Sequence, residues 1–214
     1  MTQNFYISGL QRSGTNLLQQ TIEDNYHILN LNKIKTGGKT WKHNITVPEK
    51  FPSNNILVIY KNPYTWIESI SFRRAADIVE TQRMFPIDDI DGIDKNMLIG
   101  ENDFNLINMC KTWKCYIQNW VINNQHKRFL VKYESLLEDP QRQIVYQEME
   151  NFFAWKRVQD KLHFPKPGKV KYSEKYKQSI ENYYINGVPK FLTSDQITTI
   201  NNIIGKPLIH NLGY

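Results

Sequence analysis

Residues 8–16 read Ser-Gly-Leu-Gln-Arg-Ser-Gly-Thr-Asn, directly after the apolar run Phe5-Tyr6-Ile7. Two glycines bracketing a short polar run, between a strand and a helix, aim backbone N–H groups and the positive end of the helix dipole at one point, which suits an anion. Gly9 permits the tight turn and Gly14 a close approach of the backbone to a ligand. A loop that cradles a nucleoside triphosphate carries a lysine after its second glycine and then a hydroxyl for magnesium. Here Thr15 and Asn16 occupy those positions. The clearest later strand, "NILVIY" at residues 55–60, ends in Lys61, where a magnesium-holding aspartate is expected. With both metal anchors absent, the loop suits an anion that needs no metal.

These residues need elements to position them. Phe5-Tyr6-Ile7 reads as a short buried strand feeding the loop, and Leu17, Leu18, Thr21 and Ile22 place an apolar stripe on the helix that follows. A weak strand is expected at "HILNL", residues 27–31. The run at 55–60 is continuously apolar, as a parallel strand covered on both faces requires. Asn62 then suits a helix cap and Pro63 the first helical position, with Ile67, Ile70, Ala75 and Ile78 on the inner face. Leu106, Met109, Cys110, Trp113, Tyr116, Ile117, Trp120 and Val121 repeat at helical spacing and read as core. A strand is expected at "RFLVKY", residues 128–133. Asp139-Pro140 opens a helix with Ile144, Met149, Phe152 and Phe153 inward. Thr193 and Gln196 form a capping box, Leu192 is positioned to staple onto Ile197, and Gly205 with Pro207 stops the last helix. The alternation of strand and helix predicts a single α/β domain spanning 1–214, with a mainly parallel central sheet flanked by helices.

Bulk properties narrow the classes. At 214 residues, with 40% hydrophobic and 22% charged side chains, the chain has the composition of one globular domain rather than a disordered segment. No apolar run is long enough to span a bilayer, and the first residues lack a secretory pattern, so a cytoplasmic location is expected. Cys110 and Cys115 lie five residues apart in one helix, about 7.5 Å along its axis, too far for a disulfide; both read as reduced thiols. A net charge of +6 favours anionic partners. Residues 156–177 are densely basic and 88–103 acidic, mostly as solvated faces. Counted back from Gly92 of the acidic "DDIDGID", Ile87 stands where a calcium loop needs its first ligand, which excludes calcium there. The long aperiodic segment 81–104 more often covers a site than merely joins elements.

"GLQRSGTNLL" resembles the 5′-phosphosulfate loop of the sulfotransferases, and "YKNPYTWIES" resembles their second signature, which holds the 3′-phosphate of 3′-phosphoadenylyl sulfate (PAPS). The family begins that second segment with Arg and has a Ser eight positions on; Lys61 and Ser69 keep this spacing, with charge retained and bidentate geometry lost. "KYESLLEDPQRQI" at 132–144 is similar to a third family stretch, whose tyrosine lies near the adenine; Tyr133 is its counterpart.

The resemblance implies a metal-free phosphosulfate loop built from Gln11, Arg12, Ser13, Gly14, Thr15 and Asn16, a 3′-phosphate site at Lys61 and Ser69, and an adenine neighbour in Tyr133. It also implies a catalytic base. "TWKHN", residues 40–44, places His43 18 positions before Lys61, similar to the family's catalytic histidine. Histidine titrates near neutrality and can take the proton of an acceptor hydroxyl. Lys42 would stabilise the bridging oxygen, and Arg12 the 5′-phosphate and sulfonate. Some sulfotransferases use a glutamate base; Glu23 and Glu68 read as helix-surface carboxylates instead. His27, His126, His163 and His210 read as structural. The basic residues Lys166, Lys169 and Lys171 around Gly168 have a looser counterpart in the family's late 3′-phosphate segment.

The expected reaction is in-line transfer of a sulfuryl group from PAPS to a hydroxyl or amine of a small-molecule or carbohydrate-type acceptor, without metal. Arg73, Arg74, residues 81–104 and those around Trp41 are expected to shape the acceptor pocket. Two other classes stay open: a magnesium-dependent small-molecule kinase on the same fold class, and a non-catalytic binder of nucleotide or nucleic acid. Nucleic acid is not the expected partner, because the aromatic residues fall on core stripes rather than along an open basic face.

Overall fold

The computed structural model describes residues 4–33, 43, 45–49, 55–71, 106–164, 189 and 192–214. Strands β1 (Asn4–Gly9), β2 (Leu29–Asn30), β3 (Ile56–Tyr60) and β4 (Arg128–Lys132) form one sheet in the order β2-β1-β3-β4. All three pairings are parallel, with Tyr6 opposite Ile56, Ile7 opposite Leu57 and Val58 opposite Leu130. The fold is therefore α/β with a parallel sheet, and the expected strand at 27–31 is the two-residue edge strand β2.

Helices α1 (Thr15–Asn25), α2 (Pro63–Ser71) and α3 (Leu106–Tyr116) are followed by α4 (Asp139–Phe153), α5 (Ser194–Ile200) and α6 (Lys206–Asn211). Alternation along each strand sends successive side chains to opposite faces. Tyr6, Ile56 and Val58 pack with Trp66 and Ile67 of α2, Trp113 and Tyr116 of α3, and Ile200 of α5. Phe5, Ile7, Leu57 and Ile59 pack on the other face with Leu18 and Ile22 of α1 and Tyr146 and Met149 of α4. Both faces are covered, which is why "ILVIY" carries no polar alternation.

Several local expectations are corrected. The apolar stripe of α3 continues past Tyr116, but Ile117–Ile122 forms a wider π turn before the chain enters β4. In α4, Ile144 is exposed, and Val145 and Tyr146 turn inward in its place beside Met149 and Phe153. The capping box of Thr193 and Gln196 forms, with Thr193 N–H donating to Gln196 Oε1 at 2.9 Å and Gln196 N–H to Thr193 Oγ1 at 3.2 Å. Gly205, at φ 93°, does break the helical path, yet Pro207 opens α6 instead of ending the structure. A proline loses nothing in a first turn, where its missing N–H would have had no intrahelical partner. Ala75, Ile78, the segment 81–104, "DDIDGID" and the basic residues from Lys166 to Lys171 lie outside the described residues. Among the described residues no helix is long and apolar enough to cross a membrane.

Candidate functional site

The order β2-β1-β3-β4 defines a crevice. From β1 the chain crosses to β2 on one side and then to β3 on the other, so the carboxyl ends of β1 and β3 splay apart at a reversal of direction, where parallel α/β sheets bind ligands. A cavity of about 290 Å3 opens there. The loop after β1 contributes Gln11, Arg12, Gly14, Thr15 and Asn16, and the remaining walls are His43, Lys61, Ser69 and Tyr133. Four separate stretches of sequence thus meet in one cleft. Ser13 does not line it: this buried residue closes the turn, its N–H donating to Leu10 O at 3.1 Å. Lys42, Trp41, Arg73 and Arg74 lie outside the described residues.

The turn after β1 is shaped by close packing. A Cβ on Gly9 would lie 2.4 Å from Ile59 Cγ2 and 2.5 Å from Thr15 Cγ2, so only glycine lets β1, β3 and α1 approach this closely. Gly14 caps α1 at φ 86°, and a Cβ there would stand 2.3 Å from the Tyr133 ring. Arg12 also adopts a positive φ, 67°, an uncommon conformation for a side-chain-bearing residue. Because the cap is a glycine, α1 has no side-chain cap, and its first turn holds no acidic residue. The α1 N-terminus therefore presents its dipole to the cavity without an internal anion. At α2, by contrast, Asn62 Oδ1 accepts from Tyr64 N–H at 2.9 Å and closes the N-terminus.

Two buried tryptophans hold the walls in place. Trp66 Nε1 donates to Gln11 O at 2.8 Å and Trp113 Nε1 to Lys61 O at 2.9 Å. Below the loop, the Ser8 and Tyr116 hydroxyls lie 3.3 Å apart, and Tyr116 also donates to Ile59 O at 3.3 Å. Helical spacing marks Trp113 and Tyr116 as core; it carries no signal that their polar ends anchor the cleft.

His43 is buried, with Nδ1 2.7 Å from Gly9 O. A carbonyl only accepts, so Nδ1 carries the proton, and in the neutral ring the basic lone pair sits on Nε2. The backbone thus selects the tautomer and orients the ring.

Lys61 is 2% exposed, and its Nζ donates to Ser69 Oγ at 2.7 Å. The Ser69 hydroxyl in turn donates to Thr65 O at 2.7 Å, leaving its lone pairs directed at the ammonium. Nζ also lies 5.1 Å from the Tyr133 ring centroid. Burial lowers the Lys61 pKa to about 7; the Arg12 guanidinium adds to that, while Glu134 and Glu68 oppose it. The eight-residue spacing from Lys61 to Ser69 is therefore a direct contact.

Two carboxylates depart from the sequence reading. Glu68 is 2% exposed and accepts from Leu192 N–H at 3.0 Å, so it is no helix-surface residue. Glu134, which sequence reasoning missed, is buried, with Oε1 accepting from Asn62 N–H at 3.0 Å and Oε2 from the Tyr214 hydroxyl at 2.9 Å. Burial raises its carboxyl above the usual range, against the pull of those donors and of Lys61. Its only trace in the sequence is its place beside Tyr133. Glu23 is half-buried and bonded to Gln19 and Asn30, away from the cavity lining.

The described lining carries two cationic side chains, one histidine and no carboxylate. Such a cleft can hold an anion with adjacent phosphate-like groups and offers a base beside it. Comparisons of the chain with protein-family models, with curated proteins and with solved structures find no match.

Proposed function

We propose that this chain is a sulfotransferase that moves a sulfuryl group from PAPS to a hydroxyl or amine of a small acceptor. The observation that carries the reading is the meeting of the loop after β1, His43, the Lys61–Ser69 pair and Tyr133 around one cavity at the strand-order reversal. In this reading the loop is a P-loop-like cradle for phosphosulfate. The amides at the start of α1 and the Arg12 guanidinium face the 5′-phosphate and sulfonate, Lys61 and Ser69 the ribose-bound phosphate, and Tyr133 the base.

The donor supplies an activated sulfur–oxygen bond, which breaks as the acceptor oxygen or nitrogen bonds to sulfur. His43 Nε2 takes the acceptor proton, and the Nδ1–H bond to Gly9 O steadies the imidazolium that results. Arg12, with Lys42 beside His43 in sequence, offsets the charge that grows on the departing phosphate oxygen. Among the described residues the lining carries no carboxylate, which suits a metal-free anion better than a magnesium–triphosphate complex.

Thermal-shift titration separates the readings. Adenosine 3′,5′-bisphosphate is expected to raise the melting temperature without added metal, and a labelled-sulfonate acceptor screen to give a sulfated product. Stabilisation by ATP–magnesium alone would reassign the chain to a kinase. Salt-sensitive binding to any single strand, indifferent to excess bisphosphate, would make it a nucleic-acid binder.

A further inference from the structure

We propose that Glu134, clamped by Tyr214, is a positioning residue that serves as the buried counter-charge of Lys61, so that docking of residues 213 and 214 is linked to the cleft's grip on an anion. The inference rests on reading the cleft as the bisphosphate site and names what sets its strength.

The geometry has three parts. Glu134 joins two walls, because its Oε1 holds the N–H of Asn62, directly after Lys61, while its chain neighbour Tyr133 packs on Gly14 and lies beside Lys61 Nζ. The second oxygen, Oε2, takes the Tyr214 hydroxyl. Finally, Tyr214 is fastened to the carboxyl ends of the strands. Its ring meets Tyr60 edge-on at 6.3 Å, Lys132 Nζ sits 4.0 Å above its centroid, and the same ammonium donates to Gly213 O at 2.6 Å.

A lysine as buried as Lys61 loses most of its hydration, so its charge state depends on the few charges that share its surroundings. Arg12, exposed at the cleft mouth, opposes protonation; Glu68 from α2 favours it; His43 lines the same cavity. Glu134 is the strongest of the groups favouring the ammonium. It is itself flanked by Lys132, whose ammonium is directed at Gly213. A carboxylate acts this way only while ionised, and the Asn62 and Tyr214 donors favour that form against the cost of burial. Removing the Tyr214 hydroxyl therefore weakens the counter-charge without touching the cavity lining.

NMR of the full chain with isotopically labelled lysine, titrated between pH 5.5 and 9, reads the Lys61 charge directly; the resonance absent in Lys61→Met assigns it. The wild-type midpoint is expected near 7. Glu134→Gln, which keeps an acceptor for Asn62, is expected to lower it by about one unit, and Tyr214→Phe by ~0.3. Calorimetry with adenosine 3′,5′-bisphosphate at pH 7.5 is expected to find Glu134→Gln about tenfold weaker than wild type, with the gap closing at pH 5.5. A purely structural role for Glu134 would lower the melting temperature and leave the Lys61 midpoint in place. An unchanged midpoint in both variants overturns the proposal, and Tyr214→Phe decides alone should Glu134→Gln fail to fold. If the midpoints move while wild type binds no bisphosphate at any pH, the counter-charge stands and the reading of the ligand falls.

Discussion

The two ends of the sheet manage helix termini in opposite ways. At the carboxyl end, α1 begins with a glycine cap and no side-chain acceptor, and its amides face a cavity that also holds Arg12 and Lys61. At the amino end, the π turn that extends α3 runs into residues 123–127, and Arg128, the first residue of β4, closes it. Its guanidinium donates to Val121 O at 2.6 Å, to His126 O at 3.2 Å and to Asn124 O. A cation at a helix C-terminus satisfies both the orphan carbonyls and the negative end of the dipole. The amino end also has a cavity, about 430 Å3, larger than the first and lined by Asn119, Asn123, Asn124, Glu49 and His126 among others. Size is therefore a poor guide to where an anion goes. The smaller cavity has the open positive helix end and the buried ammonium; the larger has amides, a carboxylate and a helix end already closed.

The comparison breaks most sharply at His43. His43→Ala is expected to lower turnover by about 10²–10⁴-fold while leaving bisphosphate affinity close to wild type, since in the proposed reading the imidazole handles a proton and the anion rests on other groups. Steady-state rates beside calorimetry check this. Retained turnover would hand the base role to another group.

Lys61→Met comes next, with bisphosphate affinity expected to fall about 10–100-fold through loss of a buried charge-assisted contact. The same variant carries a pH signature. The lysine pKa is 10.5 in the unfolded chain and about 7 in the fold. Between those values the unfolded chain binds a proton that the folded chain does not, so wild-type stability rises with pH from about 7 towards 10.5, by at most about 1.4 kcal/mol per unit. Lys61→Met should lose that rise and be the more stable protein below pH 7. Denaturant unfolding of both proteins at pH 6.5 and 9 gives the answer. A parallel rise in the two would move the titration to another group.

How much of this was legible beforehand depends on range. The strand runs, the glycine loop, Asn62-Pro63 and the Thr193–Gln196 capping box are local chemistry, and the structure has them where the residue types require. The spacing of Lys61 and Ser69 was visible; that the two side chains touch was not, since this depends on how β3 delivers Lys61 onto α2. Glu68 reads as a surface residue because a carboxylate on an amphipathic helix usually faces water, whereas a backbone N–H from residue 192, 124 positions away, draws it inside. Glu134 and Tyr214, 80 positions apart, left no trace of their pairing. Hydrophobicity alone points Ile144 inward, and the phase of α4 against the sheet selects Val145 and Tyr146 instead. Long-range polar pairing and helix phase are tertiary facts; caps, turns and strand runs are not.

The smallest expected effect on the ligand belongs to the amino end. Arg128→Met keeps the length of the side chain and removes the donors that close the π turn, so three backbone carbonyls lose a charged partner. The fold is expected to lose about 1–3 kcal/mol, measured by urea unfolding. Bisphosphate affinity is expected to remain at the wild-type level, because Arg128 and Lys61 sit at opposite ends of the β3–β4 pair, and effects at separate sites add. Sodium chloride sharpens the contrast: it should weaken bisphosphate binding in wild type and in Arg128→Met by the same factor, since the cations proposed to face the phosphates are intact in both. If Arg128→Met instead weakened the ligand as much as Lys61→Met does, the anion would sit in the larger amino-end cavity. The open α1 terminus would then have to be explained by the tight packing of Gly14 against Tyr133 alone.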